Sequence, residues 1–540
     1  MKKGLPRIDD FDSGIFFWKS NRNSEHHILT EDTHLKIALV HFETRYAQPD
    51  DNRTKLLTEN EKAARTGARI IVNPELCVSG YGFDSRTDIG PLVETVDGPT
   101  VQAMADVAWD YGVYIALGMA ERDPRTGLFY NTALLIDPRG RISAKHRKTK
   151  AESKWACPGP VRQNDLCDTP WGRVGLLICS ESYFSLLPRT MALRGVNLLL
   201  LPAAWPAGRI DVRRLWRARA IENGFFMAGV NRCGQDRIMD CGHAYSCVFD
   251  PEGATVVSGT AASTQVLTAD LPLTDGRLPG PADGGGLAGR SPERYHYLCA
   301  DLRPTTDLTS YYGLPDPGVL SVDLVGRDLG DPERFAETVR SLTLIQSGHP
   351  RLIVLPRMAG ADGVRERLAD LARNADAAVL ASLDRGPDGA DLFLARPDDS
   401  DAAADAADPC RPPDGPPMIA VGPARVGLAH AKDFRHPELA AAMSRRGCDL
   451  AAVTGGRAGA DPDVLSVKAL EKLAVAAAHP AEALWAEPPA GHDHWSLRRV
   501  ADGVLRATLD TRPTRRKSFL DRIDTDLLLE GVGGDDGGPS

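Results

Sequence analysis

A chain of 540 residues, 42% hydrophobic and 25% charged, is long enough for two or more domains that each bury a core, and disorder is excluded as its general state. A formal net charge of −9 and a pI near 5.9 leave no basic footprint for nucleic acid or anionic lipid, so a small neutral or cationic partner is expected. Ten cysteines fall short of a disulfide scaffold, and none stands in a CxxC pair or a Cys/His cluster with structural-zinc spacing, so reduced thiols and no metal are expected.

The chain opens with MKKGLPRIDDFDSGIFFWKSNRN, where acids interrupt any apolar run of the kind a signal peptide needs. No stretch approaches the roughly 18 apolar residues that span a bilayer, which points to a cytoplasmic protein without membrane contact. Residues 1–33 read as a polar extension with an aromatic patch at Phe16, Phe17 and Trp18. From Leu35 onward LKIALVHF, ARIIVNP, VYIALGMA, TALLIDP, VGLLICS and VNLLLLPA are short apolar runs bounded by Gly, Pro, Asn or charge, the pattern of buried strands. Helical patterns over 51–67, 99–111 and 209–224 alternate with them, as in an α/β protein. The Gly/Pro-rich stretch 275–317 marks the exit from a first domain. The expected boundaries are an extension at 1–33, a first domain at 34–300, a linker at 301–317, a second domain at 318–526 and a disordered tail at 527–540.

The second half is a worn copy of the first. ARIIVNPE (68–75) recurs as PRLIVLPR (350–357), and 174–201 aligns without a gap to 426–453 with eight of 28 positions identical. Val174/Val426, Gly175/Gly427, Leu176/Leu428, Met191/Met443, Gly195/Gly447 and Leu198/Leu450 are the apolar and glycine positions that set strand burial and turns, so the copy is expected to keep the fold. It loses chemistry: Glu75 faces Arg357, Cys179 faces Ala431, and no lysine occurs between Lys154 and Lys432 to stand for Lys148.

Cleaving an amide or nitrile needs a nucleophile, a proton carrier and positive charge where the oxygen or nitrogen becomes anionic. Cys179 ends the apolar run VGLLIC at the carboxyl end of a strand, where α/β sheets expose their sites. A lone strand-end cysteine is far more often core than nucleophile, but here it has company. Glu75 follows the strand RIIVNP, and Lys148 lies in the basic run KHRKTK. Each alone reads as a solvated or paired surface charge. Arg217, Arg219 and Glu222 in RARAIEN read as structural ion pairs, and His243 as a loop or core histidine.

The ordered pieces NPELCVSGY, HRKTK, ICSESYF, RARAIENGFFMAGVNRCG and FDPEGATVVSG resemble the nitrilase or carbon–nitrogen hydrolase superfamily over about residues 35–300, and 318–525 resembles the same fold more faintly. The resemblance implies an αββα sandwich of the nitrilase type, here present twice in tandem as an intramolecular pseudo-dimer, with no organic cofactor or metal. It assigns Glu75 as general base, Lys148 as fixed positive charge, Cys179 as nucleophile and the Ser180 backbone N–H as an oxyanion donor. Glu152 matches a second family glutamate that either reaches the thiol or orients Lys148. Trp155, Ser180, Glu181, Tyr183 and Trp205 are the expected substrate-binding residues. PELCVSGY is similar to the amidase branches, whereas Cys179-Ser180-Glu181 with Tyr183 and the later AAWP resemble true nitrilases. An amide or carbamoyl substrate is the first expectation, a nitrile the second, and a non-catalytic binding protein the reading of a different class. Glutamine-dependent NAD synthetases share the first domain, but their phosphate-cradling SGGxDS-like loop has no counterpart; VTGGRAGAD at 453–461 reads as a turn.

Overall fold

The computed structural model describes residues 33–160, 162–207, 210–282, 286–299, 308–360, 363–384, 390–398, 417–455, 461–489 and 496–517. The aromatic patch, most of the extension, residues 301–307 of the expected linker and the expected tail lie outside the described residues.

Two sheets build the first half. One has six strands in the order β12-β1-β2-β3-β4-β5: β1 (His34–His41), β2 (Ile70–Val72), β3 (Tyr114–Arg122), β4 (Phe129–Ile136), β5 (Ile142–Arg147) and the returning β12 (Gln265–Pro272). The other runs β11-β10-β9-β8-β7-β6, from β6 (Leu166–Thr169), β7 (Gly172–Leu176), β8 (Leu198–Ala203) and β9 (Phe226–Asn231) to β10 (Ser246–Phe249) and β11 (Thr255–Gly259). Alternation along β1 shows why the layers form. Leu35, Ile37 and Leu39 enter the core between the sheets, while Ala38, Val40 and Phe42 meet an outer core that includes Leu56, Val101, Met104 and Val107 of the helices Pro49–Arg65 and Pro99–Tyr111. The result is an αββα sandwich.

The second half repeats this order. Its strands are β13 (Val319–Gly326), β14 (Arg351–Met358), β15 (Ala378–Asp384), β16 (Ala390–Ala395), β17 (Met418–Val421), β18 (Ala424–His430), β19 (Leu450–Thr454), β20 (Ala474–His479), β21 (Glu482–Glu487), β22 (Ser496–Ala501) and β23 (Gly503–Asp510). One sheet runs β16-β15-β14-β13-β23, the other β17-β18-β19-β20-β21-β22. The register agrees residue by residue: Val174↔Leu198 between β7 and β8 becomes Val426↔Leu450 between β18 and β19, and Leu176↔Leu200 becomes Leu428↔Ala452. Gly195 and Gly447 both take φ 77°, a left-handed turn that favours glycine. Two differences bear on chemistry. Among the described residues the second half has no strand equivalent to β5, the strand that leads into Lys148. And β2 ends before Glu75, whereas β14 continues through Arg357 after a register shift between Val354 and Arg357, where Arg357 pairs with Asp384.

The halves meet helix to counterpart helix. Leu186–Leu193 packs on Pro437–Arg445, and Val212–Asn223 on Pro462–Val467. Asp211 and Asp461 cap the paired helices alike, each accepting a backbone N–H two residues on. Val464, Val467 and Leu470 of the second half belong to the same apolar cluster as Leu215 and Trp216 of the first, and Tyr295 of the first half to an outer core of the second. Arg217 reaches Asp461 at 2.7 Å and Asp463 at 3.0 Å, and Arg214 reaches Asp463 at 2.7 Å. The ion pairs expected in RARAIEN therefore form, and part of their partners come from the other half.

Candidate active site

Three chain reversals at one edge of the first half bring the candidate residues together. Glu75 sits just after β2, with Leu76 held at φ 48°. Gly118 on β3 lets this turn approach: a methyl group there would collide with the Pro74 carbonyl oxygen and lie 2.7 Å from the Glu75 Cα. Lys148 follows β5, its N–H bonded to the Asn131 carbonyl at 2.8 Å and its carbonyl accepting from Gly159 at 2.9 Å. Cys179 opens the 3-10 turn Cys179–Tyr183 at φ 45°, a left-handed conformation that a non-glycine residue keeps only where its surroundings hold it.

The side chains converge in a nearly dry space. Lys148, 2% exposed, donates to Glu75 Oε1 at 2.7 Å and to Glu152 Oε1 at 2.6 Å. Asn131 donates to both carboxylates, at 2.7 Å to Glu75 Oε1 and 3.0 Å to Glu152 Oε2. The Ala204 N–H donates to Glu75 Oε2 at 2.9 Å, and Tyr81 donates its hydroxyl proton to Glu152 Oε1 at 2.8 Å. The Cys179 thiol lies close enough to the Glu75 carboxyl and the Ala204 N–H for both to act on its titration.

Electrostatics separates the two carboxyls. Burial pushes Glu75 upward, only partly offset by Lys148, with Glu152 adding to the rise. Glu152 is also penalised by burial, but Lys148, Asn131 and Tyr81 outweigh that and hold it below the usual carboxylate range. Burial acts against the Lys148 ammonium too, yet Glu152 and Glu75 keep it well above the ordinary lysine value. The Cys179 thiol is pushed well above its ordinary value by burial and by the facing Glu75, against the pull of Lys148. A fixed ion pair, Lys148–Glu152, thus stands beside a thiol and a carboxyl suited to exchange one proton.

The substrate-binding expectations divide. Ser180, half-buried, directly follows Cys179, and the Tyr183 and Trp205 rings meet at a tilt with centroids 4.6 Å apart. Trp155, 3% exposed, packs with Leu76, Phe83, Ala151 and Ala156 behind the Glu75 turn. Glu181 is a correction. It is fully buried and has its oxygens occupied by the protein itself: Thr149 N and Oγ1 at 2.8 and 2.6 Å, Ile178 N at 2.8 Å and His146 Nε2 at 2.7 Å. The 3-10 turn returns its side chain to these protein partners, so Glu181 joins the lysine segment to the cysteine turn. His243 lies exposed in its loop.

His146 resists deprotonation. Burial lowers its pKa, but Glu181 and Asp165 outweigh this and raise it to about 9. A histidine raised above its unfolded value stabilises fully below about 6.5, and the contribution disappears as pH climbs toward the folded value. Relative to His146→Gln, the native chain is expected to lose on the order of 3 kcal/mol of unfolding free energy in that interval. Urea titrations at pH 6 and pH 9 check this; a constant difference between the two proteins would contradict it.

Asn131 and Tyr81 were absent from the sequence-based set. Asn131 is a polar residue within the apolar run FYNTALLI, and Tyr81 closes NPELCVSGY six residues after Glu75; both positions carry that signal. Among the described residues no cluster of three or more His, Cys, Asp or Glu is placed to hold a metal ion, and no helix is long and apolar enough to cross a membrane.

Residues 36–278 match the family model described as carbon–nitrogen hydrolase. A nitrilase of Pyrococcus abyssi is 32% identical over 207 residues, covering 38% of this chain and 77% of the relative. An omega-amidase of Mus musculus is 29% identical over 252 residues, covering 44% and 88%, and a formamidase of Bacillus cereus is 30% identical over 220 residues, covering 39% and 64%. A solved amidase of Nesterenkonia, from the nitrilase superfamily, is 25% identical and covers 46% of this chain and 94% of its own, at a TM-score of 0.40.

Proposed function

Because this chain belongs to the carbon–nitrogen hydrolase family, in which it is an amidase-type enzyme, we propose that it hydrolyses a small amide through a thioester on Cys179. The observation that carries this reading is the single buried ammonium shared by Glu75 and Glu152, beside a thiol whose titration Glu75 raises and Lys148 lowers. Cys179 Sγ attacks the carbonyl carbon while its proton passes to Glu75, since a thiol raised this far does not rest as thiolate. The anionic oxygen forms beside Lys148 Nζ and the Ser180 N–H, donors already fixed before reaction. Glu75 returns the proton to the departing nitrogen, ammonia or amine leaves, and the thioester remains. Water then attacks with Glu75 taking its proton, and collapse frees the acid and restores the thiol.

Glu152 acts through Lys148: ionised and anchored by Tyr81, it keeps the ammonium charged and aimed. Tyr183 and Trp205 supply an aromatic wall suited to a compact acyl group. The omega-amidase and formamidase relatives support an amide, and the Pyrococcus nitrilase supports a nitrile as the second reading. Ammonia release from simple amides, N-carbamoyl compounds, ω-amides of dicarboxylic acids and nitriles separates them. Release from an amide is the expected outcome; release from nitriles alone supports the second reading. Silence throughout, with Cys179 inert to iodoacetamide, moves the protein to a binding role.

A further inference from the structure

The second half reaches the nucleophile turn through a continuous run of buried polar groups. Lys468, in the 3-10 turn Lys468–Glu471, is 1% exposed; its ammonium pairs with Glu222 Oε1 and donates to the Arg435 carbonyl at 3.0 Å. The other oxygen of Glu222 accepts Arg219 Nη1 at 2.6 Å. Arg219, itself fully buried, directs Nε to the Ser182 carbonyl and Nη2 to the Tyr183 carbonyl, both at 2.8 Å. Ser182 Oγ in turn donates to the Cys179 carbonyl at 2.8 Å and accepts from Trp216 Nε1 at 3.2 Å. Every link between Lys468 and the backbone of Cys179 is a hydrogen bond or ion pair among buried groups.

We propose that Lys468 is a positioning residue for Cys179, so that the first half's active site is complete only with the second half in place. This rests on the thioester reading above. Glu222 has two oxygens and two cationic partners, which leaves Arg219 free to hold the turn with its remaining donors. Remove the ammonium and Glu222 Oε1 is buried without a donor, a costly state. Arg219 relieves it by swinging a second N–H onto the carboxylate, and the carbonyls of Ser182 or Tyr183 lose their clamp. Those carbonyls belong to the turn that keeps Cys179 at φ 45°, a conformation sustained only by its surroundings. The ammonium is separable from simple adhesion between the halves, because Val464, Val467 and Leu470 provide apolar contact and Arg217 provides ion pairs to Asp461 and Asp463 that do not lead to the turn.

The test compares full-length Lys468→Met, Lys468→Arg and Arg217→Met for kcat and KM on the amide turned over by the native chain, and for the rate at which iodoacetamide alkylates Cys179. Lys468→Met is expected to lower kcat about tenfold or more with KM changed less than about threefold, and to change the alkylation rate, because a misplaced nucleophile costs rate before affinity. Lys468→Arg, which restores a cation for Glu222, is expected to recover most of both; Arg217→Met, which weakens the same interface away from the turn, is expected to leave both near native. If Lys468→Met does not fold, Lys468→Gln replaces it, with a smaller loss of the same kind expected. An unchanged kcat and alkylation rate in the Lys468 variant, or an equal loss in Arg217→Met, overturns the proposal. Failure of the thioester reading shows differently, as turnover that survives blocking of Cys179, and the alkylation comparison still decides the role of Lys468.

Discussion

Replacing Cys179 by alanine is expected to end amide hydrolysis, a fall of about 10⁴-fold or more in kcat, while the chain folds as before. The thiol is the proposed nucleophile of the cluster, and no other side chain in it is suited to form the acyl bond: Lys148 is held charged by two carboxylates, and the Tyr81 hydroxyl is raised well above its ordinary value by burial and by Glu152. Fold is preserved because the substitution removes one sulfur atom from a 6% exposed position and leaves Cβ and the turn unchanged. Ammonia release read beside thermal unfolding checks both parts. Retention of about a tenth of native activity would end the nucleophile assignment, since loss of a group that acts covalently leaves far less.

Lys148→Met is expected to damage activity and stability together. The ammonium is the common partner of Glu75 and Glu152, at 2.7 and 2.6 Å, and methionine fills a similar volume without charge. Two carboxyls left facing each other in a buried site cannot both ionise, so one holds a proton that the unfolded chain would release. Their folded pKa values then lie above the unfolded ones, and the variant loses stability as pH rises from about 5 toward 8. Unpairing buried charges costs about 3–5 kcal/mol, and loss of an oxyanion donor lowers kcat about 10²–10³-fold. Urea unfolding at pH 5 and pH 8 is expected to show a gap from the native chain that is wider at pH 8. Equal gaps, with kcat within about tenfold of native, would mean that Lys148 is not the shared cation of the site.

Much of this was legible in the residues. The helix over 99–111 has the bounds read from the sequence because Pro99 starts it and Gly112 ends it in the left-handed conformation. The helix expected at 51–67 begins at Pro49, since proline is suited to a first turn that needs no N–H. That expected at 209–224 begins only at Val212, after the Asp211 cap. Glu75 and Cys179 each follow an apolar strand and Lys148 lies in the basic run KHRKTK, but it is the resemblance of the ordered motifs that singles the three out together. Asn131 escaped the sequence reading because it stands one residue before the apolar run TALLIDP, inside a strand that begins earlier, at Phe129. Glu181 was misread because distance along the chain from Cys179 does not fix direction: a 3-10 turn rotates successive side chains by about 120°, and this one returns the carboxylate to His146 and Thr149. The relay through Lys468 joins residues 246 positions apart, a separation at which periodicity carries no information.

The five-stranded sheet of the second half also bears on how the protein can change over time. Where the first half has β5 leading into Lys148, the second offers, among its described residues, an edge that stops at β16. The whole span from Lys154 to Lys432 lacks lysine. Glutamate at 357 and cysteine at 431 would supply a carboxylate and a thiol, but no lysine between Lys154 and Lys432 to stand where Lys148 does. A half without that lysine is expected to be constrained mainly by the surface it presents to its neighbour, so substitutions should accumulate fastest around Arg357 and Asp384 and slowest along 437–445 and 461–471.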